Sequence, residues 1–204
     1  MSYDRLRIDP ERPNHHHIAK AARCLEQGGF LVVPTETTYA LMVLPSAFDA
    51  QAAILKLRQL DAKHLWSLMC SDLSQASRFV SMDNGAHRLL KRHLPGPYTF
   101  ILPACASLPK RLFGKRRDVG VRISEHPVCM MLLEHLDSPL LATSLQFAND
   151  DEIAMDNDAI HERMQHHDAI FLDCGWLGIE PTTVVDLCNG EPEVVRLGAG
   201  SWND

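Results

Sequence analysis

The stretch Gly28-Gly29-Phe30-Leu31-Val32-Val33-Pro34, running on into Thr35-Glu36-Thr37-Thr38-Tyr39-Ala40-Leu41, decides how this chain is read. Phe30 to Val33 is a continuous apolar run bounded by turn formers, the pattern of a buried strand. Pro34 has no amide hydrogen to offer a ladder and ends it. Upstream, Ile18, Ala21, Ala22 and Leu25 recur at helical spacing behind Asn14, a capping residue. That helix stops at Gly28-Gly29, where glycine permits the left-handed conformation that follows many helices. The unit is helix, turn, buried strand, then a loop rich in hydroxyls.

Outward from this unit the pattern recurs with variations. Ser46 is placed to cap a helix through about Gln59, and Leu65 to Cys70 reads as a strand. Ser71 or Asp72 opens a short helix, and another covers Asn84 to His93. Tyr98–Leu102 and Val119–Ile123 read as strands, and Pro127 suits the first turn of a helix running to about Leu136. Leu140 to Thr143 is a strand, and Asp156 is placed to cap a last long helix. Strands follow near Ala169–Leu172, Thr183–Leu187 and Val194–Leu197. Neighbouring strands near the end have no helix between them, which predicts a mixed sheet with helices packed on it. No linker or repeat interrupts the chain, so residues 1–204 are expected to form a single domain with its core at about 14–200. Asn149 to Asp158, an acidic stretch, is expected to be a mobile excursion.

Composition narrows the class. Of 204 residues, 46% are hydrophobic and 23% charged, which suits a globular domain with a sizeable core. No apolar run reaches the length of a membrane span. Met1 to Pro13 is polar and lacks the apolar segment of a signal peptide, so the expected location is the cytoplasm. The six cysteines form no CxxC pair, which predicts buried thiols in a reducing compartment and not a zinc ribbon. A net charge of -6 argues against a protein coated in basic residues for nucleic acid. Lys110, Arg111, Lys115, Arg116 and Arg117 nevertheless gather in one short stretch, readable as a local polyanion contact or as a solvated loop.

Several motifs fail on geometry. There is no GxxxxGK[ST] phosphate loop, and Gly198-Ala199-Gly200 has no helix to follow it. His161-Glu162 begins like a zinc-protease helix, but Gln165 stands where the second histidine must be. His15-His16-His17 point in different directions on a helix and read as a solvated helix start. Met130-Met131-Leu132-Leu133 reads as core.

The informative residues are spread along the whole chain. They lie in Pro34 to Leu41, Lys56-Leu57-Arg58, Pro95-Gly96-Pro97-Tyr98-Thr99-Phe100, Val121-Arg122-Ile123-Ser124-Glu125-His126-Pro127, Ala142-Thr143-Ser144, Pro181-Thr182-Thr183-Val184-Val185-Asp186, and Val195-Arg196-Leu197-Gly198. Hydroxyls and cations recur at strand ends, where side chains project past the sheet toward a ligand crevice. Arginine and lysine neutralise phosphate, arginine with two parallel hydrogen bonds, and hydroxyls meet the remaining oxygens. Lys56 and Arg58 also suit the negative end of a helix dipole.

That ordered set resembles the YrdC/YciO family over nearly the entire chain, and its YciO branch above all. The resemblance implies a twisted mixed α/β sheet with flanking helices around a positively charged cavity. It also implies L-threonylcarbamoyladenylate synthase chemistry: L-threonine, bicarbonate and ATP give threonylcarbamoyl-AMP and pyrophosphate, for threonylcarbamoyladenosine modification of tRNA. Magnesium is expected with the phosphates. By resemblance Thr35 and Tyr39 lie beside threonine, Lys56 and Arg58 match the KxR pair on the triphosphate, and Thr99 matches the threonine of PGPxT. Arg122 holds a carboxylate or carbamate, Thr143 and Ser144 open the STSAN segment near the nucleotide, Thr183 matches the hydroxyl of STV, and Arg196 reaches phosphate.

This chain departs from the synthase pattern at Ala40 and Met42, where glycines stand, at Gln59 after the KxR pair, and at Leu145 and Gln146 in place of the end of STSAN. The extra C-terminal domain of longer synthases is not in this sequence. The resemblance also carries an alternative, a non-catalytic module binding double-stranded or ribosomal RNA.

Overall fold

The computed structural model describes residues 3–61, 64–109, 117–147 and 156–203. In chain order the elements are β1 (Asp4–Arg7), α1 (His15–Glu26), β2 (Phe30–Pro34), β3 (Tyr39–Val43), α2 (Phe48–Leu57), β4 (Ser67–Met69), α3 (Leu73–Ser77) and α4 (Asn84–His93). There follow β5 (Tyr98–Pro103), β6 (Asp118–Arg122), α5 (Pro127–Leu136), β7 (Leu140–Ser144), α6 (Asn157–Met164), β8 (Ala169–Asp173), β9 (Thr183–Asp186) and β10 (Glu193–Arg196). All strands join one ten-stranded sheet in the order β1-β8-β2-β3-β7-β4-β6-β5-β9-β10. β1, β8 and β2 run parallel, as do β4 with β6 and β5 with β9; the remaining pairs are antiparallel. The sheet is therefore mixed, twisted and unclosed, as the helix-free succession of late strands predicts.

Capping chemistry sets most helix starts. The side chains of Asn14, Asp72, Asp83 and Asp156 each accept a backbone N–H one turn into α1, α3, α4 and α6. Ser46 does not cap α2: that helix starts at Phe48 behind Ala47, without a side-chain cap. α6 is shorter than the long helix expected. Two strands lie outside the sequence reading. β1 (Asp-Arg-Leu-Arg) is too polar for a periodicity signal, yet it pairs with β8 and starts the sheet before residue 14. β3 follows a tight loop of Thr35 to Thr38, in which the Thr35 backbone N–H donates to the Thr38 carbonyl, and pairs Tyr39 with Pro34. Of the acidic stretch 149–158, residues 149–155 lie outside the described residues.

The period-2 alternation of strand side chains divides the core into two layers. On one face Phe30, Val32, Tyr39, Leu41, Phe100, Val121 and Phe171 pack with residues of α2, α4 and α6. On the other, Leu31, Val33, Ala40, Met42, Met69 and Ala142 pack beneath Ile18 and Leu25 of α1 and Val128 and Leu132 of α5. α1 and α5 lie over β2 and β8 and against each other. Beyond Met69 and Ala142 the second face changes character, to Ser67, Gly120, Thr99 and Val184. Among the described residues, no helix is long and apolar enough to cross a membrane, and the six cysteines are free.

Phe100 is fully buried within the first layer. Phe100→Ala should lower unfolding free energy by about 3–5 kcal/mol. Val195→Ala, on an exposed strand, should change it by less than about 0.5 kcal/mol. Urea unfolding at equilibrium measures both, and equal effects would contradict this layering.

Candidate functional site

Where the second face loses its helices it becomes the floor of a cavity of about 550 Å³. Small side chains keep it open. A Cβ on Gly120 would lie 2.6 Å from Ser67 Oγ and 2.9 Å from Thr99 Cγ2, so this position admits no side chain without displacement. The short strand β4 begins only at Ser67, opposite Ala142. Among the described residues Thr143 and Ser144 of β7 therefore pair with β3 and not with β4, and both line the cavity. Leu65 and Ile179, both exposed, also line it.

Three arginines converge here: Arg58, Arg122 and Arg196. Among the described residues the lining includes no aspartate or glutamate, so the wall attracts anions. Arg122 is 5% exposed. Its Nη2 donates to Glu36 Oε1 at 2.9 Å and lies 3.4 Å from Thr35 Oγ1. Glu36 also accepts from the Ser124 hydroxyl. The pair is nearly sealed from water, with 6% and 7% of its two side chains exposed. Arg122 Nε is buried and has no hydrogen-bond partner, an uncommon condition for a charged donor.

Arg58 follows the last turn of α2. Its Nε donates to the Gln146 carbonyl at 3.2 Å, and its Nη1 donates to the Thr143 hydroxyl. Burial lowers its proton affinity. Arg196 donates to the Thr182 carbonyl through Nη2 at 2.8 Å. Burial first and the Arg122 charge second depress its proton affinity too. Thr99 and Thr182 share a hydrogen bond of 2.8 Å between their hydroxyls.

Not every expected residue reaches this hollow. Lys56 is exposed on α2 and is not among the lining residues. Two positions apart on a helix, Lys56 and Arg58 point in different directions, and the Lys56 charge acts on His167 instead. Tyr39 belongs to the first layer, where its hydroxyl donates to the Gly175 carbonyl at 2.7 Å. Thr183 is fully buried; it donates to the Gly200 carbonyl at 2.5 Å and accepts from Gly198 N–H at 2.9 Å. Its neighbour Thr182 takes the cavity side, as strand alternation requires. Thr35 does not line the cavity and instead braces Arg122 from the loop beneath.

The structure adds Glu36, His64, Ser67, Gly120, Gln146 and Thr182. Glu36 and Thr182 stand in segments the sequence had already singled out, whereas His64 lies between elements with no motif around it. Burial, then the Arg58 charge, pushes the His64 imidazole down to about 4. Of the basic stretch, only Arg117 lies among the described residues, where it donates to the Cys105 carbonyl at 3.0 Å.

Fold and cavity together define an α/β protein with an arginine- and hydroxyl-lined hollow on one half of a sheet face. The family model described as "Sua5_yciO_yrdC: Telomere recombination" matches residues 23–198, and the chain belongs to this family. YciO of Escherichia coli is 38% identical over 194 residues, covering 95% of this chain and 94% of that protein. Its crystal structure superposes with a TM-score of 0.91 over 98% of both chains. A threonylcarbamoyl-AMP synthase of Hydrogenovibrio crunogenus is 33% identical over 140 residues, covering 67% of this chain and 75% of that one. The fold also matches P. abyssi Sua5 complexed with L-threonine, with a TM-score of 0.84, 24% identity, 97% of this chain and 58% of that one.

Two outcomes test this electrostatic picture. Glu36→Ala leaves a buried guanidinium without its counter-charge and should cost about 3–5 kcal/mol, read by denaturant unfolding; a loss below 1 kcal/mol would show that the pair is solvated. For His64, the unfolded chain takes up its proton near pH 6.5 and the folded chain only near pH 4. Its contribution to stability is therefore complete above pH 6.5 and is lost as pH falls through that window. His64→Gln should flatten unfolding free energy between these pH values. The slope that remains comes in part from His126 and His167, which burial also lowers; an unchanged slope counts against a buried His64.

Proposed function

We propose that this protein is an adenylate-forming nucleotidyltransferase of the threonylcarbamoyl-AMP synthase type, taking L-threonine, bicarbonate and ATP. The observation that carries the reading is Arg122: a buried guanidinium with an unpartnered Nε, in a hollow shared with Arg58, Arg196 and hydroxyls of Thr99, Thr143, Ser144 and Thr182. A buried guanidinium whose donors are incompletely met, at the wall of a hollow that holds two further arginines, suits an anionic ligand. The hollow has the volume of a small-molecule site. The 33% identical relative carries the synthase name, which supports the choice of reaction within the family.

In this reading the threonine amine adds to bicarbonate with loss of water to give the carbamate, and a carbamate oxygen then attacks the α-phosphorus of ATP. The bond from that phosphorus to the bridging oxygen breaks, and pyrophosphate leaves with the electron pair. Such a step depends on holding the two reactants in line and on cancelling charge as it moves to the leaving group. Arg122 with Thr35 behind it is assigned to the carboxylate or carbamate, Arg58 and Arg196 to the phosphates, and Thr99, Thr143 and Ser144 to remaining oxygens. The hydroxyl and guanidinium groups of this wall are not a donor set for a divalent cation. Magnesium would come as part of the nucleotide, and no step here runs through it. Lys56 is assigned only a distant electrostatic role, and Tyr39 and Thr183 support the fold around the site.

Purified protein given ATP, L-threonine and bicarbonate should release pyrophosphate in a threonine-dependent manner. Arg58→Ala and Arg196→Ala should each lower that rate by about 100-fold or more. Lys56→Ala should change it less than about threefold, because Lys56 is exposed and does not line the cavity. A rate no higher than the blank at high protein concentration would sink this assignment.

A further inference from the structure

Arg58 is held from three directions. Besides the bonds to Thr143 and the Gln146 carbonyl, its Nη2 lies 3.4 Å from Gln146 Oε1. A guanidinium only donates, so the Thr143 hydroxyl accepts a hydrogen bond from Arg58 and has its own O–H to place. The group set to receive it is His64, whose Nε2 lies 3.0 Å from Thr143 Oγ1. An imidazolium there would aim a second cation at a hydroxyl already taking one donation. Burial and the Arg58 charge both keep the ring neutral, and a neutral imidazole has one bare nitrogen to offer. The ring is braced edge-on by Trp66, with centroids 5.5 Å apart. His64, Thr143 and Arg58 all line the cavity.

We infer that His64 is a positioning residue of this site: its bare Nε2 accepts a hydrogen bond from the Thr143 hydroxyl, which turns the Thr143 lone pairs toward Arg58 and fixes that guanidinium at the cavity wall. The chain of hydrogen bonds runs in one direction, from Arg58 to Thr143 to His64. Its consequence for phosphate rests on the reading of the cavity given above. Arg58 then meets an incoming anion already oriented, without losing the rotamer freedom of a long side chain on binding.

Two readouts test this separately. The first needs no ligand. In protein labelled with 15N-histidine, NMR should show His64 neutral at pH 7 with its proton on Nδ1, a preference that Thr143→Val removes. A proton on Nε2, or an ordinary titration near pH 6.5, overturns the inference. The second is calorimetric titration with ATP. His64→Phe keeps the ring contact with Trp66 but loses the acceptor, and should weaken ATP binding about tenfold, the worth of one hydrogen bond to a charged network. His64→Gln restores an acceptor and should stay within about threefold of the parent. His64→Phe added to Thr143→Val should cost nothing beyond Thr143→Val alone, because both break one chain. Additive losses overturn the inference. If the parent protein binds no ATP while His64 shows the bare Nε2, the nucleotide reading fails and the positioning of Arg58 by His64 stands.

Discussion

A guanidinium taken out of water must bring its counter-charge and its hydrogen-bond partners with it. Arg122 meets this demand through Glu36, and much of the site follows from that pairing. Glu36 sits in the tight loop between β2 and β3, and Arg122 ends β6 several strands away in the sheet. Ser124, just before α5, bonds the same carboxylate. One ion pair thus ties the threonine-rich loop to the far half of the sheet and to the start of a helix. It uses only part of the guanidinium. The Nε left over is a donor the fold has desolvated without satisfying.

The hollow around it is a consequence of uneven covering. α1 and α5 lie over β2 and β8, and the sheet beneath them carries Leu31, Val33, Ala40 and Met42, side chains that need cover. The other half of that face carries Ser67, Thr99 and Gly120, which do not. Hydroxyls and a glycine can face a wet cavity at little cost, whereas leucines cannot. The same property that leaves the floor open supplies its hydrogen-bonding groups. Ala40 and Met42, which depart from the synthase pattern, belong to the covered half and pack under the helices. Their added bulk fills core and does not narrow the cavity directly.

The three cavity arginines are not equivalent. Arg122 is buried and paired, Arg58 is held by Thr143, Gln146 and, through Thr143, His64, and Arg196 leans on the Thr182 carbonyl from an edge strand. Gln146, another departure from the family pattern, holds Arg58 through both its carbonyl and its side-chain oxygen. A ligand would therefore meet cations that differ in rigidity and in how many of their donors are already engaged. Burial lowers the proton affinity of Arg58 and of Arg196, and for Arg196 the Arg122 charge adds to it.

The sequence by itself determined the alternation of helices and strands, the mixed character of the sheet, most caps, and the segments that border the cavity. Those features depend on local chemistry: apolar runs, capping side chains, prolines and hydroxyls at strand ends. It did not show β1, whose polar residues are held by pairing with β8, nor β3, which is hidden behind a loop. Only the tertiary structure decided which member of each singled-out segment faces the site. Thr182 and not Thr183, Arg58 and not Lys56, Glu36 beside Thr35 and not Tyr39: each choice turns on strand register or helical angle, which a one-residue step reverses. His64 was invisible for the same reason. Its place beside Thr143 is a contact 79 residues apart in sequence, which no local pattern encodes.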